Sequence, residues 1–552
     1  MSTSVVELHN GLQVQSPPRD TTTNILSFKG IPYAAPPVGD LRWRSPRPPN
    51  PWKGVLPATS FGPLALGSAK GFPTSGHPQS EDCLKVNIWT GARRSDEKRP
   101  VMVWVHGGGF QFDGPPNPFY DGGELARRGG VVVVSFSYRM GVMGFLALEG
   151  LDGEEVRGFK SKSGNFGLQD QLAALRWVQE NIVAFGGDPD NITVFGESAG
   201  AHAIGLLMAS PHAHGLFHKA ILQSGALWDS EHGPIATYDE ARQRGKSLME
   251  GLGVHSIAEL RELPAKTVNE AALWDMEKDP GTTAFGPSVD EYILPISPAT
   301  VFARGHQMRI PVIAGFNAQE AIPLFIARAL PNNSAEEFRS AVSKLFSPDT
   351  TSTADSDSLL ALYPATTPEE ASASAMALSG DLIISQQTWE VGDLQAQLFS
   401  KDATTTLRES SPQPPVYLYH LTYTSPYSPI ARHGADIPFV LGTLIPWPSF
   451  LNNNAVSTPS GDADHEFSSK VMTYWTNFAK TGNPNSNSNN ESESGSPDLP
   501  NWPSYNTDLG LFLQLGEPVE PVRLPRILER YRFIRGLRDG EGVLPLRWRG
   551  SD

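Results

Sequence analysis

The sequence predicts an α/β fold in which a mostly parallel sheet is flanked by helices, and three apolar strand-like runs with one helix-like segment carry that expectation. Ile192-Thr193-Val194-Phe195 is short, β-branched and apolar, as a buried strand is. Ala199 to Met208 follows it, small and then apolar, as a helix lying close on a sheet would be. Val101 to Val105 is a second apolar run that enters His106-Gly107-Gly108-Gly109-Phe110 directly, and Val312 to Gly315 is a third that leads into a polar loop. Open α/β sheets build their sites at such carboxyl ends of strands.

Between the first strand and its helix stands Gly196-Glu197-Ser198-Ala199-Gly200. A serine on so sharp a turn takes a strained backbone, and the residues two before and two after it crowd together. Glycine at both places relieves the crowding, which is the physical content of the G-x-S-x-G pattern. A Gly/Ser-rich turn would also match five residues, so the flanking strand and helix decide for a nucleophile elbow. The glycine run after Val105 exposes backbone N–H groups that no side chain screens. Such amides can face an oxygen that becomes negative during acyl transfer, and the handed-over strand makes the run more than a flexible turn.

Longer motifs run along nearly the whole chain. Phe28-Lys29-Gly30-Ile31-Pro32-Tyr33-Ala34-Ala35-Pro36-Pro37-Val38-Gly39 and then Leu41-Arg42-Trp43 open it, followed by Ser80-Glu81-Asp82-Cys83-Leu84-Lys85-Val86-Asn87-Ile88-Trp89. Asn165-Phe166-Gly167-Leu168-Gln169-Asp170-Gln171 and Phe185-Gly186-Gly187-Asp188-Pro189 precede the elbow. Trp475 to Pro484 and Trp502-Pro503-Ser504-Tyr505 come late. In this order the motifs resemble those of the type-B carboxylesterases, the α/β-hydrolases that include the cholinesterases. The resemblance implies an α/β-hydrolase fold with cap-like insertions and a serine carboxylic ester hydrolase working on neutral esters.

It also implies where the partners of the serine lie. The acid and then the histidine follow the nucleophile in these folds. The family's acid sits in a pattern like N-x-x-E-G, which Asn317-Ala318-Gln319-Glu320-Ala321 matches except for Ala321 in place of glycine. Taken alone, Glu320 would be a solvated loop carboxylate. His433 resembles the family's base in Arg432-His433-Gly434-Ala435-Asp436, ahead of an apolar turn ending at Gly442. Of the other histidines, His420 alternates along Val416-Tyr417-Leu418-Tyr419-His420 and reads as sheet surface. His106 shapes the oxyanion loop and His202 packs in the helix after the elbow. Ser198 then attacks, His433 moves the proton, Glu320 holds the imidazole, and by resemblance Gly108, Gly109 and Ala199 donate to the oxyanion. Arg42 with Glu81, and Arg139 with Asp170, are expected to pair as structural ion bridges.

Composition bounds the rest. With 39% hydrophobic and 19% charged residues the chain is an ordinary globular one. A formal net charge of −15 argues against nucleic acid or an anionic membrane as partner, while the resemblance implies a small-molecule ester substrate. No H-E-x-x-H, cysteine pair or P-loop stands in the sequence, so neither metal nor cofactor is expected. Cys83 is the one cysteine, whereas secreted cholinesterases resemble one another in using several disulfides. The first nine residues carry no basic and apolar leader, and no transmembrane run or anchor stands out. A cytoplasmic, reducing setting is the simplest reading. One hydrolase domain over 1–552 is expected, with polar surface-loop insertions near 350–358, 404–415 and 485–497, and helical character from about Tyr238 to Lys278. The same triad serves acyl transfer, lactone opening or amide hydrolysis. A non-catalytic cholinesterase-like binding protein is disfavoured by the intact Ser198, Glu320 and His433.

Overall fold

The computed structural model describes residues 4–67, 76–153, 155–156, 159–160, 162–226, 235–273, 285–321, 334–345, 353–401, 414–446, 458–485 and 499–539. Ten strands make the main sheet: β1 Leu26–Pro32, β2 Lys85–Thr90, β3 Arg99–Val105, β4 Val132–Phe136, β5 Gly187–Glu197, β6 Lys219–Gln223, β7 Val312–Asn317, β8 Val416–Leu421, β9 Leu511–Leu515 and β10 Glu520–Arg523. They lie in the order β10-β9-β8-β7-β6-β5-β3-β4-β2-β1. The run from β9 through β4 is parallel, and antiparallel pairs finish the two edges.

The central strands are apolar along their buried runs because the sheet is covered on both faces there, whereas the edge strand β10 is largely exposed. Side chains alternate across it with a period of two. Val101, Val103, Val105, Ile192, Val194, Ala220 and Leu222 enter one buried cluster, with the helices α1 Phe166–Asn181 and α2 Ala199–Ala209. Met102, Trp104, Phe195, Ile221 and Ile313 enter the other, under Phe467, Val471, Trp475 and Phe478 of a later helix. The expected helical character between Tyr238 and Lys278 is present as α3 Tyr238–Leu252 and two shorter helices, Ile257–Glu262 and Ala265–Ala271; 274–278 lie outside the described residues.

A third buried cluster lies to one side. It joins α4 Ala335–Leu345, α5 Thr353–Leu362, α6 Pro368–Gly380 and α8 Pro525–Asp539, with α7 Gln386–Lys401 following a short π-helical turn, Asp381–Ser385. Here one expectation needs correcting. Of the polar run 350–358, residues 353–358 are the start of α5 and not a loop. Thr, Ser and Asp suit a helix N-terminus, and Leu359 then buries its side chain in this cluster. Residues 404–413 and 486–497 of the other two expected loops lie outside the described residues. Among the described residues no helix is long and apolar enough to cross a membrane.

Candidate active site

The parallel register brings three sequence-distant loops to one place. Gly196 of β5 pairs with Val105 of β3 on one side and Leu222 of β6 on the other. The elbow therefore emerges between the glycine run after β3 and Ser224-Gly225 after β6. Ser198 caps α2 with φ 54° and ψ −124°, a conformation strained for a residue with a side chain, and its hydroxyl is not spent on capping the helix. Its N–H donates to Gln223 O (2.9 Å) and its carbonyl accepts from His202 N (2.9 Å), so the strained turn is held from both ends. The flanking glycines are required by space. A Cβ at Gly200 would lie 2.0 Å from Val105 O, and one at Gly196 would lie 2.6 Å from the same oxygen and 3.0 Å from Gly200 C.

Gly108 and Gly109 both have positive φ, 96° and 60°, which glycine adopts without strain. The loop closes on itself, Gln111 N and Phe112 N donating to Gly108 O at 2.9 and 3.1 Å. Among the described residues nothing accepts from the amides of Gly108, Gly109 or Ala199. The Ala199 amide belongs to the first turn of α2, whose N–H groups have no intrahelical acceptor and carry the positive end of the helix dipole. A Cβ at Gly107 would lie 3.2 Å from Ser198 Cβ, which measures how closely the glycine run abuts the elbow. His106 is buried and stacked on Tyr138, with ring centroids 4.4 Å apart. Burial pushes its pKa down. The neutral ring can only donate from Nδ1 to Gly107 O (3.0 Å), and Tyr138 donates its hydroxyl to His106 O (2.9 Å). His106 thus braces the loop from behind.

Glu320 stands just past β7 and is 3% exposed. Its Oε1 accepts from Ser224 Oγ (2.6 Å) and from Asn317 N (2.5 Å), while Oε2 meets His433 Nδ1 at 2.6 Å. The two loops are stitched together independently of that contact. Gln319 N donates to Ala431 O (2.9 Å) and Asn317 Nδ2 to Arg432 O (2.8 Å). His433 Nε2, on the far side of the ring, makes no aligned hydrogen bond among the described residues, though Glu197 Oε1 lies 3.2 Å from it. Burial works against a charged imidazole here, but the Glu197 carboxylate and then the Glu320 bond outweigh it, and the pKa is raised. Burial raises that of Glu197 in turn, with Asp436, Glu320 and Asp113 adding repulsion against the pull of His433. Asp436 is also buried and raised, its Oδ2 accepting from Gln223 Nε2 (2.8 Å) and Tyr419 OH (2.9 Å).

Glu197, Ser224 and Asp436 were given no role by sequence reasoning. Glu197 was visible as a variable position of the elbow motif and Asp436 as a neighbour of the histidine. Nothing in the sequence marks Ser224. His202 is buried as expected, accepting from Ala226 N through Nδ1 (3.1 Å). His420 is corrected: it is buried in β8, not on the sheet surface, with its ring 5.2 Å from that of Phe316. Both expected ion pairs are present and bidentate. Arg42 donates to Glu81 at 2.6 and 2.8 Å, and Arg139 to Asp170 at 2.7 Å twice. Cys83 is free and buried, and burial, with the charge of Asp170, pushes its thiol up to about 12, so it is unreactive at neutral pH.

The chain is similar to known esterases over most of its length. The model of the carboxylesterase family matches residues 3–534. The chain is 36% identical over 465 residues to a fumonisin B1 esterase of Sphingopyxis macrogoltabida, covering 84% of this chain and 80% of that one. It is 35% identical over 529 residues to the para-nitrobenzyl esterase of Bacillus subtilis (strain 168), covering 94% and 96%. Among solved structures it resembles the Geobacillus stearothermophilus carboxylesterase EST55, with a TM-score of 0.76 and 30% identity over 96% of this chain and 99% of that one.

Proposed function

This chain belongs to the carboxylesterase family, and from that premise we propose that Ser198, His433 and Glu320 are the acyl-transfer unit of a serine hydrolase acting on neutral carboxylic esters. That it is an α/β-hydrolase that hydrolyses carboxylic esters follows from the family and its relatives. The observation that carries the residue assignment is the 2.6 Å contact of Glu320 with His433 Nδ1, which leaves Nε2 beside the elbow without an aligned partner among the described residues.

In the proposed cycle His433 Nε2 takes the Ser198 proton as Oγ attacks the ester carbonyl, and returns it to the leaving alcohol. Glu320, locked by Ser224 and Asn317, fixes the tautomer and stabilises the imidazolium. The amides of Gly108, Gly109 and Ala199, from which nothing among the described residues accepts, receive the oxyanion. Water then repeats the sequence on the acyl-serine. We place the enzyme in a reducing, cytoplasmic compartment, a reading supported by its single, buried, unpaired Cys83.

Ser198→Ala tests the assignment. It should lower kcat on a p-nitrophenyl ester by about 10⁶, as loss of the nucleophile does in serine hydrolases, and should abolish fluorophosphonate labelling. His433→Ala should be nearly as damaging and Glu320→Gln less so. An Ser198→Ala enzyme with the parent's turnover would sink the proposal.

A further inference from the structure

We infer that Gly380, with the π-helical turn it starts, is a positioning residue for Glu320: its missing side chain leaves the room in which the acid's backbone sits. The inference rests on the reading of Glu320 as the acid of the triad.

Gly380 ends α6 with φ −63° and ψ −41°, an ordinary right-handed conformation. Nothing in its backbone asks for glycine, which is the helix-weakening choice at such a place. What glycine supplies is space. A Cβ there would lie 3.1 Å from Ala321 N, 3.2 Å from Glu320 Cβ and 3.3 Å from Glu320 C. None of these atoms is the far end of a flexible side chain. A methyl could be accommodated only if the peptide between Glu320 and Ala321 moved by some tenths of an ångström.

That peptide is not free to move without consequence. The Glu320 carboxylate is fixed by Ser224, Asn317 and His433 at 2.5–2.6 Å, so a displaced backbone must stretch or rotate at least one of those contacts. On the other side, the Ala321 methyl is packed in the third buried cluster with Leu378 and Leu382, the residues that flank Gly380 two positions away on either side. Ala321 departs from the glycine usual after this acid, and the close approach of Gly380 is what its backbone meets. The turn is itself anchored. Asp381, its first residue, is buried, accepts from Tyr363 OH (2.7 Å) and faces Arg530 Nε at 3.0 Å from α8. π-Helical turns are rare and are frequently found at functional sites. Here the distortion begins at the residue that touches the acid.

The test is Gly380→Ala, read as kcat, KM, the pH profile of kcat/KM and Tm, alone and in Glu320→Gln. A merely structural helical glycine predicts a variant as active as the parent and more thermostable. Positioning predicts kcat lower by about tenfold or more with KM within about twofold, because the contact disturbed acts on the transition state. It also predicts an acid limb moved to lower pH as the Glu320 bond to His433 weakens. In Glu320→Gln the same substitution should cost almost nothing further, since the carboxylate through which it acts is gone. Full activity of Gly380→Ala, or the same loss in both backgrounds, overturns the inference. Parent-like activity of Glu320→Gln alone overturns instead the reading of Glu320 on which it rests. If Gly380→Ala does not fold, Gly380→Ala with Ala321→Gly frees the peptide from the third cluster, and full activity with an unmoved pH profile there overturns the inference as well.

Discussion

The Glu197 carboxylate stands 3.2 Å from His433 Nε2, on the side of the ring opposite Glu320. The imidazole is thus flanked by two buried carboxylates, and the nearer neighbour of the nucleophile is an acid that the elbow motif leaves unspecified. An acid there stabilises the imidazolium formed during attack, but it also stabilises a proton on the resting histidine, which cannot then serve as base.

That balance sets a pH dependence. His433 must be neutral to accept the Ser198 proton, so kcat/KM rises with pH along an acid limb that reports the free enzyme. Glu197 and Glu320 hold the imidazole's pKa above its ordinary value, so they move that limb to higher pH. Glu197→Gln removes one negative charge and should shift the limb to lower pH, because the histidine then loses its proton more readily. The two groups titrate as a pair, so the shift is expected in the macroscopic profile. A limb that stays in place, or moves upward, in Glu197→Gln contradicts this account.

A second prediction concerns the oxyanion loop. A Cβ on Gly108 would lie 2.1 Å from Phe112 O, and the residue's φ of 96° is one that L residues rarely take. Gly108→Ala must therefore rearrange the turn closed by Gln111 and Phe112, and with it the aim of the neighbouring amides. Losing one oxyanion donor typically costs about 10²–10³ in kcat. Gly108→Ala should fall in that range with Tm showing a folded enzyme. Undiminished kcat would mean that His106 to Phe110 is only a turn.

How much of this site the sequence carried depends on how far apart the interacting residues are. The elbow was legible because strand, strained serine, glycines and helix lie within one contiguous stretch, and the crowding that demands Gly196 and Gly200 is local. The role of Glu197 was not, because it is created by His433, which only the fold brings alongside. Ser224 gave no signal for the same reason: its hydroxyl matters through Glu320 on the next strand. His420 was misread because alternation on a strand tells which face a residue takes and not whether that face is covered. Phe316, whose ring packs on His420, is itself packed by Tyr531 of α8, a helix more than a hundred residues later.

The burial of His420 makes a third prediction, on stability. Burial pushes its pKa down to about 4 from the ordinary 6.5, with Arg530 opposing protonation and Glu320 favouring it. A lowered folded-state value means that the unfolded chain binds the proton first as pH falls. The stability this histidine confers is whole above pH 6.5 and is lost progressively as pH drops from 6.5 to about 4. The span corresponds to about 3 kcal/mol. His420→Asn should flatten the difference in unfolding free energy over that window relative to the parent, while keeping most of the esterase activity above it. Denaturant melts at a series of pH values check the slope, and identical slopes for parent and variant would refute it.

The last prediction is that choline esters are not preferred substrates. In the cholinesterases an aromatic indole ahead of the motif that Ser80 to Trp89 resembles binds the quaternary ammonium by cation–π attraction. Here the corresponding stretch, Ala69-Lys70-Gly71-Phe72-Pro73-Thr74-Ser75-Gly76-His77-Pro78, has no tryptophan and carries a lysine that repels a cation; 69–75 lie outside the described residues. Phe72 offers a phenyl face, the poorer cation binder. The opposing pull comes from the chain's net charge of −15 and from the carboxylates around His433. The first acts at long range and is screened by salt. Of the second, Glu197 faces His433 Nε2 at 3.2 Å, and Glu320 spends its charge on His433 and Ser224. The lack of a tryptophan in this stretch of the sequence should therefore prevail. Comparing kcat/KM for butyrylcholine with that for its uncharged isostere 3,3-dimethylbutyl butyrate, at about 0.15 M salt where the Debye length is about 8 Å, isolates the charge at constant shape. Equal or better use of the neutral ester is expected, and a marked preference for the charged one would show that the carboxylates govern recognition after all.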